Sequence, residues 1–448
     1  MEPNMLDRVK SSIAGLVGKV AAKATEVNAR VAKNAKKQEE AQYIVGLDIG
    51  TEFVKALIAR VEGDSLEIVG VGRAHQELTD MQAGAIADIA GVVENCDKAL
   101  NEAEQQAGVS VRTAVIGIAG ELVKGTTTTV RVSRKNADKP LDLVEVERII
   151  KLVQGRAEQK AKQQLAWELG GKEVEVRLVN SALVGMEIDG YKVTSPIGFQ
   201  GRDVVVQLYT AFAPMIHIGA LERTAQQLDL DLLAVAAEPF AVSRSVIGDD
   251  TSASMNAILM DIGGGTTDIA VITDGGVQGT KMFGIGGRAY TRAVERELNV
   301  EFHTAEQLKL GLSSNRVPEN KRAAMEGALS KTLEVWIGGV ELALGEFDKL
   351  DNLPHQLLLC GGGSSLDLLV NKLNDSDWYT ALPFTRKPVV QYIQPDEIPG
   401  VIDKTGSVTD HTFITAMGLL RVGMDTLQFA SGASAGSIRE KIDRILRT

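Results

Sequence analysis

Two stretches of this chain, DIGT at 48–51 and DIGGGTTD at 261–268, follow one plan. Each has an apolar run, an aspartate, an apolar residue, a glycine turn, a threonine and a second apolar run. Glycine at a strand turn costs backbone entropy and offers no packing, so something must approach the main chain closely there. The repetition at about a domain's separation predicts two lobes built alike, each presenting a turn to the same ligand. Two unrelated glycine hairpins are the plainer alternative.

A strand that turns on glycines gathers several backbone N–H groups into one concavity, and such a nest binds anions. In the first turn the candidate ligand-binding residues are Gly50 and Thr51. In the second they are Gly263, Gly264, Gly265, Thr266 and Thr267, the threonine hydroxyls adding donors. Asp48 and Asp261 would repel a bare phosphate, so a divalent cation is expected with it. Magnesium keeps several waters and takes few protein carboxylates; two aspartates across a cleft fit a magnesium nucleotide. Neither turn is a Walker loop, and no GxGxxG opens a helix after a strand. Gly361-Gly362-Gly363-Ser364, after the apolar run 357–360, is a third strand-to-glycine junction. There an α-phosphate or a base could lie flat on the backbone, with Ser364 as a candidate helix cap.

Composition narrows the class. The 448 residues are 44% apolar, 24% charged and 4% aromatic, with 45 glycines, which favours several α/β subdomains over an aromatic binding module. A net charge of −11 makes nucleic acid a poor partner. Cys96 and Cys360 stand far apart with no metal-ligand spacing, so free thiols in a reducing compartment are expected. No apolar run is long enough to span a bilayer and no signal-peptide pattern opens the chain, which predicts a cytoplasmic protein.

Along the chain, Leu6, Val9, Ile13, Leu16, Val20, Val27 and Val31 recur at helical steps within forty residues that carry eight Lys/Arg against five Asp/Glu. This predicts an amphipathic helix whose alanine- and valine-rich face suits pairing with another helix, followed by a solvated linker. From Tyr43 strands dominate. Helical spacing is expected over 86–107, from Leu143, and over 290–299, 304–311 and 320–345, with a strand at 357–360.

The motifs together resemble the actin-like ATPase superfamily. DIGT and DIGGGTTD look like its two phosphate motifs, and LLLCGGGSSL at 357–366 looks like its adenosine motif. AAEPFAVSRSV at 236–246 and AMGLL at 416–420 look like its two inter-lobe helices. Within it the chain resembles FtsA over roughly 43–424, in SPIGFQGRDVVVQLYTAF at 195–212 and FGIGGRAYTRAV at 283–294 among others. The resemblance implies an actin-like two-lobed α/β fold with an FtsA-type small subdomain, plus N- and C-terminal amphipathic helices. Its expected plan is an N-terminal helix and linker (1–40), lobe I in two parts (41–84 and 171–250), the small subdomain (85–170), lobe II (251–424), and a short linker with a membrane helix (425–448).

The same resemblance gives Glu238 the place of the acid that orients or activates water, with Asp48 and Asp261 as its catalytic and metal-holding partners. It puts Gly287, Glu306 and Lys309 at the nucleotide, the last two toward ribose and base. Members of this family usually carry a lysine two residues past the first threonine; here that residue is Phe53. Lys55, seven after Asp48 as in actin and PilM, becomes the expected phosphate lysine. The implied cofactors are ATP and Mg2+, hydrolysed slowly as a conformational switch.

At the tail, Ile438, Ile442, Ile445 and Leu446 fall on one helical face, with Arg439, Lys441, Arg444 and Arg447 on the other. One such short helix holds a membrane weakly, whereas an array of them on a polymer holds it strongly. The expected function is an ATP-binding cytoskeletal adaptor that self-associates into filaments and tethers the FtsZ division ring to the inner face of the cytoplasmic membrane. The alternative is a PilM-like scaffold for type IV pilus assembly, which would bind a short peptide and need no tail helix. A sugar-kinase relative would need a base facing an acceptor hydroxyl, and none is assignable. Too few residues follow Leu420 for the substrate-binding domain of a chaperone.

Overall fold

The computed structural model describes residues 42–247, 255–313 and 316–430; the expected helices at 1–40 and 438–446 lie outside them. From Ile44 onward the chain belongs to one unit. It opens with β1 (Tyr43–Ile49), β2 (Phe53–Glu62) and β3 (Ser65–His75), then a small hairpin of β4 (Met81–Gln82) and β5 (Ala85–Ile86). Helix α1 (Ile89–Ala107) starts where the Asp88 side chain accepts from the Ala90 N–H and stops at Gly108 in the left-handed region, φ 68°. Next come β6 (Thr113–Ile118), β7 (Lys124–Ser133), α2 (Leu143–Glu168), β8 (Val176–Ile188), β9 (Tyr191–Lys192) and β10 (Asp203–Pro214). Helix α3 (Met215–Gln227), β11 (Asp231–Ala237) and α4 (Glu238–Ile247) complete the first half.

The second half runs β12 (Ala257–Ile262), β13 (Thr267–Thr273), β14 (Gly276–Phe283), α5 (Gly287–Leu298), α6 (Phe302–Ser313) and α7 (Glu319–Gly345). It continues with β15 (Gln356–Cys360), α8 (Asp367–Asp375), β16 (Val389–Tyr392), β17 (Val401–Asp403) and α9 (Ile414–Ala430).

Two sheets carry these strands in a repeated order. The first reads β11-β6-β1-β2-β3-β17; the second contains β16-β15-β12-β13-β14. In both, the founding strand pairs in parallel with the one that follows its αβ crossover (β1 with β6, β12 with β15). In both, the second and third strands are antiparallel. The repeat seen at the two glycine turns is therefore a repeat of whole sheets. The founding strands are buried along nearly their full length, as strands covered on both faces must be, which explains YIVGLDI and AILMDI as almost continuous apolar runs broken only at the aspartates.

The small subdomain sits elsewhere than its expected span of 85–170. α1 packs on the first sheet and β6 lies between β1 and β11 within it, so residues 89–118 are part of lobe I. The insertion between β6 and β11 is instead β7, α2, β8, β9 and β10. Its strands extend the second sheet, joining β14 through Gly279 opposite Thr126 and Thr280 opposite Gly125. Helix α2 buries Val146, Ile149, Ile150 and Val153 against Val130, Val204, Val206 and Leu208 of those strands. Its first turn is fixed by the Asp142 cap and by buried Arg134, which donates to both oxygens of Glu145 at 2.9 Å.

The two stretches expected to be inter-lobe helices, α4 and α9, pack on each other. They come so close that a side chain on Gly418 would collide with the Ala241 carbonyl. An ion pair from Arg244 Nε to Asp425 Oδ2 at 3.0 Å spans them. Among the described residues no helix is long and apolar enough to cross a membrane.

Candidate functional site

Each glycine turn closes with the same bond. Gly50 N–H donates to the Phe53 carbonyl at 3.1 Å, and Gly263 N–H donates to the Thr266 carbonyl at 2.9 Å. The turns meet face to face. A β-carbon on Gly265 would lie 2.7 Å from Thr51 Oγ1, and one on Gly264 would lie 3.0 Å from the Glu52 β-carbon. These glycines are thus required by the opposite turn. The first turns of α5 lock the second loop, with Gly287 N–H donating to the Gly263 carbonyl at 2.9 Å and Arg288 N–H to Gly264 at 2.7 Å. From there the Arg288 guanidinium reaches the other sheet, donating to Glu52 Oε2 at 2.8 Å and to the Thr51 carbonyl at 2.6 Å.

Behind the turns sit four buried carboxyl groups: Asp48, Asp261, Asp268 and Glu238. Among the described residues one cation answers them, Lys55, whose Nζ lies 2.9 Å from Asp48 Oδ2. Burial alone would lower the Lys55 pKa, but the Asp48 carboxylate outweighs it and holds the ammonium above its usual range. Asp261 and Asp268 stand directly opposite each other on β12 and β13, a cross-strand placement that like charges disfavour. Burial raises the pKa of both, and the Asp261 charge pushes Asp268 up further. Thr415 from α9 donates to Asp261 Oδ2. Thr266 donates to Asp268 Oδ2 at 3.3 Å, while the buried Asp268 Oδ1 has no hydrogen-bond partner among the described residues. Glu238, at the start of α4, is driven well up by burial and then by Asp48, Asp268 and Asp261. A β-carbon on Gly117 would sit 2.9 Å from its Oε1, so glycine there makes room for the acid.

A third wall comes from the junction after β15. Gly361 adopts φ +80°, and any side chain there would collide with Asp261 Oδ1. A β-carbon on Gly363 would meet the Gly263 carbonyl at 2.8 Å, while Gly362 faces open space. Opposite, α6 supplies Lys309, whose Nζ is 2.8 Å from Glu306 Oε2, 2.9 Å from Thr291 Oγ1 and 3.2 Å from the Gly287 carbonyl.

All three turns open on one cavity of about 500 Å3. From the expected set, Asp48, Gly50, Thr51 and Lys55 line it from the first sheet, and Glu238 from α4. Asp261, Gly263, Gly264 and Thr266 line it from the second turn, with Gly287, Glu306 and Lys309 beyond. Gly361, Gly362 and Gly363 close the far side. Three expected residues point elsewhere. Gly265 is covered by Thr51. The Thr267 hydroxyl donates to the Ile285 carbonyl at 2.7 Å and accepts from Trp336 Nε1 at 2.9 Å. Ser364 turns back on the Gly361 carbonyl at 2.7 Å, making it a turn closer rather than a helix cap.

Other lining residues escaped the sequence reading: Glu52, Phe53, Arg73, Asp268, Arg288 and Thr415. Asp268 was signalled by strand alternation, since it lies two residues past Thr266 and so on the same face. Arg288 and Thr415 carried no local signal. Among the described residues no cluster of three His, Cys, Asp or Glu side chains is arranged to hold a metal ion.

Two like-ordered sheets facing one cavity through paired glycine turns define an actin-like two-lobed α/β protein. The family model for cell division protein FtsA matches residues 258–418. FtsA of Pseudomonas aeruginosa is 27% identical over 274 residues, 61% of this chain and 61% of that protein. FtsA of Bacillus subtilis is 27% identical over 268 residues, 59% of this chain and 57% of that protein, so these matches span about three fifths of the relatives' length. FtsA of Neisseria meningitidis serogroup B is 25% identical over 407 residues, 86% of this chain and 90% of that protein. Among solved structures, a chain of the PilM-PilN type IV pilus biogenesis complex superposes with a TM-score of 0.62 at 17% identity, covering 85% of this chain and 98% of that one. Over these spans the chain is similar in sequence to FtsA cell division proteins.

Proposed function

We propose that the chain binds magnesium ATP between its two sheets and serves bacterial cell division as a polymerising adaptor that tethers the FtsZ ring to the membrane. The observation that carries the reading is the meeting of two glycine turns, one from each sheet, over a shared pocket of buried acids. In this reading the amides of Thr51, Glu52 and Gly264 receive the terminal phosphates, and Lys55 supplies the phosphate cation. Gly361–Gly363 and the Glu306–Lys309 pair hold the nucleoside end.

The acid set suits magnesium in one particular way. Asp48 is already engaged by Lys55 and Asp261 by Thr415, so neither is free to form a dry carboxylate cage. A hydrated ion is the better fit: Asp48, Asp261 and the buried Asp268 Oδ1, which has no partner among the described residues, would hold it through water. Bound there, magnesium would neutralise charge on the polyphosphate. In this reading Glu238, its pKa raised by burial and by the neighbouring carboxylates, orients or deprotonates the attacking water. Slow turnover then acts as a switch between lobe arrangements, since a ligand contacting both sheets favours the arrangement that brings them together.

Membrane attachment through Ile438, Ile442, Ile445 and Leu446 belongs to the same proposal, as does localisation at the inner face of the cytoplasmic membrane. Its test is liposome co-sedimentation of the full chain against a chain ending at Gly436. Sedimentation lost with the tail supports the tether; equal sedimentation contradicts it. A PilM-like pilus scaffold is the second reading. It is favoured by the superposition on the PilM-PilN complex and by Lys55 at its place seven residues after Asp48. Saturable binding of a short peptide by the tail-less chain, without liposome binding by the full chain, would favour it.

A further inference from the structure

Among the described residues four cations line the cavity: Lys55, Arg73, Arg288 and Lys309. Three are already matched by carboxylates, Lys55 by Asp48, Arg288 by Glu52 and Lys309 by Glu306. Arg73 makes no ion pair among the described residues. Its guanidinium carbon instead lies 3.6 Å from the centroid of the Phe53 ring. Asp410 acts on it through space only.

The sheet explains this placement. Lys55 and Arg73 are direct partners across β2 and β3, and Phe53 pairs with His75 one step along on the same face. Directly opposed residues of an antiparallel pair share a face, so Phe53, Lys55, Arg73 and His75 form one patch at the cavity edge. The His75 and Phe53 rings stand perpendicular, 5.1 Å between centroids, and Arg73 lies over the Phe53 ring. The aromatic ring fixes the planar group without consuming its five donors, as an ion pair would.

We propose that Arg73, held on Phe53, is a further phosphate-binding residue of this cavity: it donates to non-bridging oxygens of the nucleotide's phosphate chain. This rests on reading the cavity as a nucleotide site. It also gives Phe53 a role: the ring at the position where a lysine was expected carries an arginine reaching in from the neighbouring strand. An arginine so placed binds phosphate through two parallel N–H groups, which a lysine cannot reproduce.

The test is calorimetric titration of the full chain and of Arg73→Ala and Arg73→Lys variants with ATP, ADP and adenosine in magnesium. Arg73 is exposed, so both variants should fold, which unchanged thermal melting checks. Arg73→Ala should weaken ATP binding by about tenfold to a hundredfold, the range of a charge-assisted hydrogen bond, with adenosine affinity unchanged. Arg73→Lys should recover only part of the loss. Phe53→Leu, which keeps the arginine but removes its platform, should give a smaller loss than Arg73→Ala. Equal ATP affinity of the full chain and Arg73→Ala would overturn the inference while leaving the nucleotide site standing. An equal loss for adenosine would make Arg73 structural and overturn it too. Failure of the unaltered chain to bind ATP would overturn both readings.

Discussion

The turns at 48–55 and 261–268 share their backbone and differ in charge. Each starts from a buried aspartate, closes with a glycine N–H on the carbonyl three residues on, and ends in an ionisable residue seven positions after the aspartate. In the first turn that residue is Lys55, which neutralises Asp48; in the second it is Asp268, which opposes Asp261. The first half-site is therefore self-compensated, while the second sets two carboxyl groups together whose ionisation is disfavoured by burial and by each other. Uncompensated buried charge is costly unless something binds it. In the proposed reading the second turn receives the cation that arrives with the ligand, and the first receives the anion itself.

Removing either anchoring carboxylate, Asp48→Ala or Asp261→Ala, should abolish magnesium-dependent ATP binding in calorimetry, a loss of at least about a hundredfold. Unchanged affinity in both would remove the shared cleft. Next, Glu238→Gln should lower ATP turnover by about a hundredfold while ATP affinity stays within about threefold, as expected for loss of a general base. A matching fall in affinity would make Glu238 a binding group instead.

Lys55→Ala strands Asp48 in the interior and should cost about 3–5 kcal/mol of stability in denaturant unfolding. Asp268→Asn should do the opposite to the nucleotide-free chain. The folded Asp268 keeps its proton well above the ordinary value of 3.8, so as pH rises from there the unfolded chain releases a proton that the folded one retains. Stability then falls with rising pH until the folded carboxyl also ionises. Asp261 and Glu238 add to the same slope. The melting temperature without nucleotide should decline above about pH 4, and Asp268→Asn should flatten that decline; an unchanged slope would contradict the charge asymmetry. The smallest effect should follow Arg288→Ala, which removes the bridge from α5 to Glu52 and Thr51. A partly exposed bridge of this kind is worth about 1 kcal/mol, or a few-fold in ATP affinity.

How far the sequence anticipated this depends on the range of the interaction. Asp48, Asp261 and the glycines were legible because a strand–turn–strand is local and its residue types have few other uses. Strand parity, read strictly, would also have separated cavity-facing Thr266 and Asp268 from Thr267, whose hydroxyl is spent on Ile285 and Trp336. The subdomain boundary was not legible. β7, β8 and β10 join the second sheet through backbone bonds at Thr126 and Gly279, which any residue types could make. Arg288 and Thr415 reach their partners from helices distant in sequence, and Arg73 depends on the register of β3 against β2.

The central claim is that both turns grip one ligand at once. Hydrogen–deuterium exchange of the full chain, with and without magnesium ATP, reads the backbone amides that would do it. Exchange should slow in peptides covering 50–53 and, to a similar degree, in those covering 263–266. Protection confined to one turn, or absent from both while ATP is bound, would contradict it.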